Sequence, residues 1–245
     1  MPPSESPARP SAPRTARARV RAQLTAEIVD VARQHLASSG AAALSLRAVA
    51  RELGMVSSAV YRYFPSRDDL LTTLLVEGYD ALGEAAEQAE AAVAREDLPG
   101  RWRAACRAVR EWALSRPHEY ALLYGSPVPG YTAPQATIAP AGRVGVLLCR
   151  ILADGLTSGA VAPPGDDADA ALHPGLLADL GLPEGTGIGS RAILAWSSLF
   201  GAVNFELFGH TNNVVDDHEA HFDHVVSRLA AEVGLPSPPR ERRRA

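Results

Sequence analysis

Apolar residues recur every three or four positions through most of the 245-residue chain, and no stretch alternates apolar with polar for more than a few residues. The first spacing puts side chains on one face of a helix, whereas a half-buried strand needs a period of two. The chain is therefore expected to be all-α, with about nine or ten helices. From Val20, residues Leu24, Ile28, Val31, Ala32 and Leu36 form one stripe that Gly40 stops. A short helix follows Ser45, a residue type suited to the N-cap, and carries Leu46, Val49, Ala50 and Leu53 on one face until Gly54. Another short helix starts near Ser57 and runs to Phe64, where Pro65 ends it. Ser66 then caps a longer helix whose first turn holds Asp68 and Asp69, where negative charge suits the helix dipole.

Further on, Trp102, Ala105, Cys106, Val109, Trp112 and Ala113 share a helix face, and Pro117 opens a short helix to Tyr124. Gly125 to Pro140 reads as a long loop, followed by a helix with Val144, Leu147, Leu148 and Ile151 on one side. Residues 159–189 are rich in Gly, Pro and Asp, with at most a short helix near Asp169 to Leu180. The last two helices are expected at 190–208 and 216–233. Prolines at 2, 3, 7, 10 and 13 and the absence of anything to bury make residues 1–19 a disordered basic arm. The expected organisation is that arm, a DNA-binding domain over 20–66, a helical body over 67–235 and a frayed tail over 236–245. No uninterrupted run of about 18 apolar residues suggests a membrane span, and no apolar signal core follows Met1, so a cytoplasmic location is the default.

All 24 basic residues are arginine. That excludes a Walker-type phosphate loop, a Schiff-base lysine and a Ser-x-x-Lys nucleophile. The net charge of −4 looks hostile to an anionic polymer until it is divided: residues 1–70 hold ten arginines and six acids, a net of +4, and the rest carries −8. A basic head on an acidic body is one arrangement that nucleic-acid binding produces. Cys106 and Cys149 are isolated within apolar helical patterns, so they read as small core residues, neither a disulfide nor a zinc pair. No cofactor and no metal are expected.

Two helices of about eight residues joined by a glycine-led turn form a helix-turn-helix, in which the first helix braces the second for the major groove of DNA. On the second helix Val56, Val60, Tyr63 and Phe64 are expected to face inward, and Ser57, Ser58, Tyr61 and Arg62 outward. These outward side chains can donate to base edges or phosphates without filling the groove. Arg51 reads as a solvated helix face. Arg17, Arg19 and Arg21 are either a loose arm or an arm on phosphates.

Residues 44–71, LSLRAVARELGMVSSAVYRYFPSRDDLL, resemble the DNA-binding domain of the TetR family of bacterial transcriptional regulators, from the first helix to the start of the fourth. The resemblance implies that Arg47, Ser57, Ser58, Tyr61 and Arg62 reach bases or adjacent phosphates, while Ser45, Tyr63 and Arg67 hold the DNA backbone. Tyr63 stands where histidine is frequent, Arg67 where lysine is usual, and Val56 where serine usually caps, which passes the cap to Ser57. With no lysine in the chain, Arg47, Arg62, Arg67 and the arm arginines are the cationic candidates at the groove.

The resemblance also implies a ligand-binding and dimerisation body acting on a double-stranded operator with a small-molecule effector, as a homodimer and without a membrane partner. Ile193, Trp196, Phe200, Val203 and Leu207, with Phe222, Val226 and Leu229 on the last helix, are the expected dimer stripes. Trp196 and Gly201 fit a Trp-x-x-x-His-Gly branch signature, with Phe200 in place of histidine. Trp112, Tyr120, Leu123, Tyr124, Leu148, Ile151 and Phe205 are the candidate lining of an apolar or aromatic ligand pocket. Each of these residues could equally be plain core. His218, His221 and His224 look like a metal run, but steps of three drift around a helix, and a solvated face is the better reading. Gly185 to Gly189 follows no strand and is a loop. The competing functions are a small-molecule-binding protein or enzyme with a non-functional head, and a helical interaction scaffold.

Overall fold

A computed structural model describes residues 16–166 and 168–236. The disorder expected for residues 1–15 and 237–245 lies outside the described residues. The chain divides into two compact units, residues 1–70 and 71–245. Among the described residues there are ten α-helices, three short 3₁₀ turns and no strand.

In the first unit α1 (Ala16–Ser39), α2 (Leu46–Glu52) and α3 (Ser57–Val60) precede the start of α4 (Arg67–Ala91). Helix α1 begins earlier than expected: residues 16–19 are helical because the last breaker is Pro13 and the alternating Ala and Arg that follow are strong helix formers. The core takes Ile28, Val29, Ala32 and Leu36 from α1, Leu46, Val49 and Ala50 from α2, and Val60 and Phe64 beyond them. Val29 thus replaces Val31 in the expected stripe, and Val31 is half-buried. A 2.6 Å contact between His35 Nε2 and Glu52 Oε2 ties α1 to α2.

The second unit continues α4 and adds α5 (Leu98–Ser115), α6 (Pro117–Tyr124), α7 (Ile138–Ser158), α8 (Leu176–Asp179), α9 (Ile188–Leu207) and α10 (His218–Glu232). Asp97 caps α5 by accepting from Gly100 N at 2.9 Å, and Asp217 caps α10 by accepting from Ala220 N at 2.9 Å. Helix α7 packs on α5 and α9, and α10 packs on α9 and α5. Two bounds differ from expectation. Pro140 lies inside the first turn of α7, where its missing N–H removes no helical bond, so the preceding loop is shorter. Residues 169–180 split into a 3₁₀ turn, Ala168–Ala171, and the single-turn α8.

By length and composition alone the segment Gln135–Ser158 is long and apolar enough to cross a membrane, against the expectation of no such segment. In the fold it is a core helix: Val144, Leu147, Leu148, Ile151 and Leu152 are buried. Its Arg143 is bound by Asp80 and Glu87 of α4, at 2.9 and 2.6 Å. Cys106 and Cys149 are buried and free, and burial pushes the Cys149 thiol up to about 11, which removes thiolate chemistry from both positions.

Asp169 organises the start of α9. Its carboxylate accepts from Gly187 N at 2.7 Å, Ser190 N at 2.9 Å and Thr186 N at 3.2 Å, so the glycine-rich loop is folded around it. Burial works against the charge, but the N–H groups of Ser190, Gly187 and Thr186 outweigh it and hold the pKa below the usual carboxylate range. A pKa depressed by folding contributes stability above the unfolded value of about 4, and that contribution is lost as pH falls through the folded value. Asp169→Asn should therefore destabilise the second unit by about 2 kcal/mol at pH 7. Its deficit against wild type should shrink below about pH 4, which thermal melts across pH will read.

Candidate nucleic-acid interface

The turn between α2 and α3 is fixed by glycine. Gly54 has φ +65°, a left-handed conformation. Met55 N donates to Ala50 O at 2.8 Å and Gly54 N to Arg51 O at 3.2 Å, the paired bonds of a Schellman stop. The chain then enters α3, a single helical turn that continues as hydrogen-bonded turns through Phe64. Capping is reciprocal at α4: Asp69 N donates to Ser66 Oγ at 3.1 Å, and Ser66 N donates to Asp69 Oδ2 at 2.9 Å.

Packing of Val60 and Phe64 into the core turns a polar face outward. Arg47, Ser58, Tyr61 and Arg62 are exposed and Ser57 is half-buried. Among the described residues no hydrogen bond or ion pair engages these five side chains. Ser45 occupies the N-cap of α2 in extended conformation, yet its hydroxyl makes no cap bond. Arg51 is exposed on α2, as expected.

Four expectations need correction. Val56 does not face inward but is 71% exposed, because the N-cap residue of α3 has extended backbone angles and leaves the helical register that buries Val60. The cap role does not pass to Ser57, which is the first helical residue; Val56 holds the cap position without a side-chain bond. Tyr63 is half-buried, with the Arg21 guanidinium 5.2 Å from its ring centroid. Arg21 also donates to Arg62 O at 3.4 Å, so this arginine belongs to α1 packing and not to a loose arm. Arg67 is half-buried and bonded to the backbone of the first unit: Nε donates to Leu44 O at 3.1 Å, and Nη2 donates to Ala41 O at 2.9 Å and Ala42 O at 3.2 Å. These carbonyls line the turn between α1 and α2, and a fork of planar donors satisfies them together. Arg67→Ala should cost the first unit about 2 kcal/mol, seen as earlier loss of helical signal in urea.

The interior of the second unit contains six of the seven expected pocket residues. Trp112, Tyr120, Leu123, Leu148 and Ile151 are buried in one cluster, with Tyr124 packed against it. Tyr124 is the hub: its ring lies 5.1 Å from Tyr120, 4.3 Å from Phe200 and 5.7 Å, edge-on, from Tyr79. Burial raises the phenol pKa of Tyr120 and of Tyr124. The hydroxyls of both, and Asn204 Oδ1, are buried with no hydrogen-bond partner among the described residues. Phe205 is the exception, pointing outward at 57% exposure.

On α9 and α10 most of the expected dimer stripe is used within the chain. Phe200, Val203, Phe222 and Val226 are intrachain core, and Leu207 and Leu229 pack against that core. Ile193 and Trp196 stay partly exposed, and Trp196 meets Phe200 edge-on at 5.9 Å. Phe200 therefore fills its site by packing, without an imidazole. The face left open is one residue later, about 100° around the helix. It runs through Leu194, Ser198, Gly201, Phe205 and Phe208, with Leu194 at 50% and Phe208 at 44% exposure. Beside it a groove of about 350 Å³ is bordered by Ser198, Gly201, Phe205, His218, His221 and Phe222. His218 Nε2 lies 3.1 Å from Thr211 Oγ1.

Residues 28–74 match the family described as bacterial regulatory proteins, tetR family, and residues 102–229 match the tetracyclin repressor-like C-terminal domain. The chain is 41% identical over 193 residues to an HTH-type transcriptional regulator of Mycobacterium bovis, and equally to one of Mycobacterium tuberculosis. Those matches cover 77% of this chain and 82% of the relative. A solved regulatory protein aligns with TM-score 0.73 and 33% identity over 90% of this chain and all of its own. A TetR-family regulator from Marinobacter aquaeolei shares the fold, with TM-score 0.60 at 16% identity over 89% of this chain and 100% of its own.

Proposed function

The chain belongs to the TetR family of DNA-binding transcriptional regulators, and from that premise we propose that it represses genes by binding a near-palindromic operator as a homodimer and releases it when a small apolar or aromatic effector enters the second unit. The observation that carries the DNA reading is the outward face of α2 and α3, where Arg47, Ser57, Ser58, Tyr61 and Arg62 lack partners among the described residues. Polar side chains without an internal bond, carried by α2, α3 and the turn after α3, match the chemistry of base edges and phosphates. A gel shift against the DNA flanking the chain's own gene tests it: a discrete complex at low salt is expected, and none at any concentration up to micromolar would sink it. A repressor acts where the chromosome is, which places it in the cytoplasm. Nothing in this reading requires an enzymatic step.

Dimerisation is assigned to the open face of α9 and the adjoining groove. A cluster of exposed aromatic and aliphatic side chains marks an interaction surface. Gly201 adds to this: a Cβ there would meet nothing within 4 Å among the described residues, so no contact with them requires a glycine in mid-helix, whereas close approach of a second helix would. Phe205→Glu should convert the dimer to a folded monomer in size-exclusion with light scattering. A variant that remains dimeric at micromolar concentration would move the interface elsewhere.

The effector reading rests on Tyr120, Tyr124 and Asn204. Each leaves a buried polar atom unpartnered among the described residues, at a cost of about 1–3 kcal/mol per group that a ligand with a hydrogen-bonding handle would offset. Tyr120 and Tyr124 stand among aromatic rings, which suits a small ring. The contacts that a ligand there would disturb reach α4: Tyr79 Oη donates to Leu123 O at 3.1 Å, and a Cβ on Gly78 would lie 3.1 Å from Leu123. Helix α4 starts in the first unit and continues into the second, so displacement of α6 has a covalent route to the DNA-binding head.

A further inference from the structure

We infer that Val56 is a base-reading residue, selecting a thymine in each half-site through apolar contact with the C5-methyl group. The inference rests on the DNA-binding reading above and adds a sequence preference to it. Val56 breaks two local rules together. It occupies the N-cap of α3, where Ser, Thr, Asp or Asn would bond the free N–H groups, and it makes no such bond. It is also the most exposed large apolar side chain among the described residues of the first unit, at 71%, so packing does not explain it. A single exposed valine is unremarkable by itself. This one sits at the N-terminal end of the helix that presents Ser58 and Tyr61, and that end is the part of a recognition helix that meets base edges.

An aliphatic side chain forms no hydrogen bonds, so it cannot read donors or acceptors. The one feature of the major groove that it favours is the thymine methyl, which also distinguishes T·A from A·T at that position. Burying one methyl against another is worth about a fourfold gain in affinity per half-site, or about fifteenfold when both half-sites carry it. Serine at the same place would cap the helix and lose the contact. Threonine retains a methyl and regains a cap.

The test replaces thymidine by deoxyuridine, which removes only the methyl, in symmetric pairs across the footprinted operator. For the full-length wild-type chain one such pair is expected to weaken binding about fifteenfold. Val56→Ala should bind the unmodified operator more weakly and lose sensitivity to uracil at that pair alone, while Val56→Thr keeps part of it. Uracil sensitivity that is the same in wild type and Val56→Ala at every position would overturn the assignment and leave the regulator reading intact. Absence of any sequence-specific binding by the wild-type chain would overturn both.

Discussion

Alanine at both Arg47 and Tyr61 will lower specific operator affinity by about a thousandfold while leaving the fold in place. Each side chain is exposed and has no hydrogen-bond or ion-pair partner among the described residues, so truncation removes no internal contact of that kind. In a dimer the double variant deletes four contacts, and about 1 kcal/mol for each gives about 4 kcal/mol in total. The two residues should fail differently when separated. Arg47→Ala removes a guanidinium and should flatten the dependence of log affinity on log salt by about one per subunit. Tyr61→Ala removes a neutral donor and should leave that slope unchanged. Fluorescence anisotropy across a salt series reads both, and circular dichroism should show unaltered helix content. An unchanged affinity in the double variant would mean that the face is not the DNA surface.

Arg101→Ala is the second large effect and falls on stability. Arg101 is 2% exposed, on α5, and reaches three partners: Nε to Glu90 Oε1 at 2.5 Å, Nη2 to Asp154 Oδ2 at 2.8 Å and Nη1 to Arg95 O at 3.0 Å. Glu90 belongs to α4 and Asp154 to α7, so one guanidinium pins three helices. Burial works against its charge, but the bonds to Asp154 and Glu90 outweigh it and the pKa is raised. Alanine would leave Glu90 without its cation and Asp154 with only the exposed Arg95 guanidinium, 2.8 Å from Oδ1. The expected loss is about 3–5 kcal/mol, or about 10–15 °C in Tm. Arg101→Lys should recover only part, because an ammonium cannot fork to all three partners. The exposed pair Arg33–Asp30, by comparison, should be worth well under 1 kcal/mol. A loss below about 1 kcal/mol for Arg101→Ala would contradict the pinning role.

What was legible in the sequence follows from which physics is local. Helical periodicity, Gly54 as a stop and Ser66 as a cap act within a few residues, and they located the helix-turn-helix and its outward polar face. Side-chain partners across the chain are not local. Arg67 resembles a phosphate contact by position, yet its guanidinium closes on carbonyls 23 to 26 residues away. The α9 stripe shows the same limit in another form. That helix is apolar on two adjacent faces, and periodicity cannot say which one the chain covers. The choice falls to packing against α5, α7 and α10, which buries Phe200 and Val203 and leaves Leu194 and Phe205 outside. Val56 escapes the inward face that helical spacing to Val60 predicts, because its backbone is extended and not helical. The all-arginine composition gains meaning from the structure: Arg101 is buried, Arg67 and Arg143 are half-buried and bonded within the two units, and Arg47 on α2 and Arg62 just after α3 remain as exposed groove candidates.

Hydroxyl-radical footprinting of the full-length chain on the DNA beside its own gene tests the central claim most directly. Two protected patches related by a twofold axis, on one face of the duplex and about one helical turn or slightly more apart, are the expected result. They should vanish together in the Arg47→Ala, Tyr61→Ala double variant. A single patch, or protection that survives that variant, would contradict the account of a dimer reading two half-sites through α2 and α3.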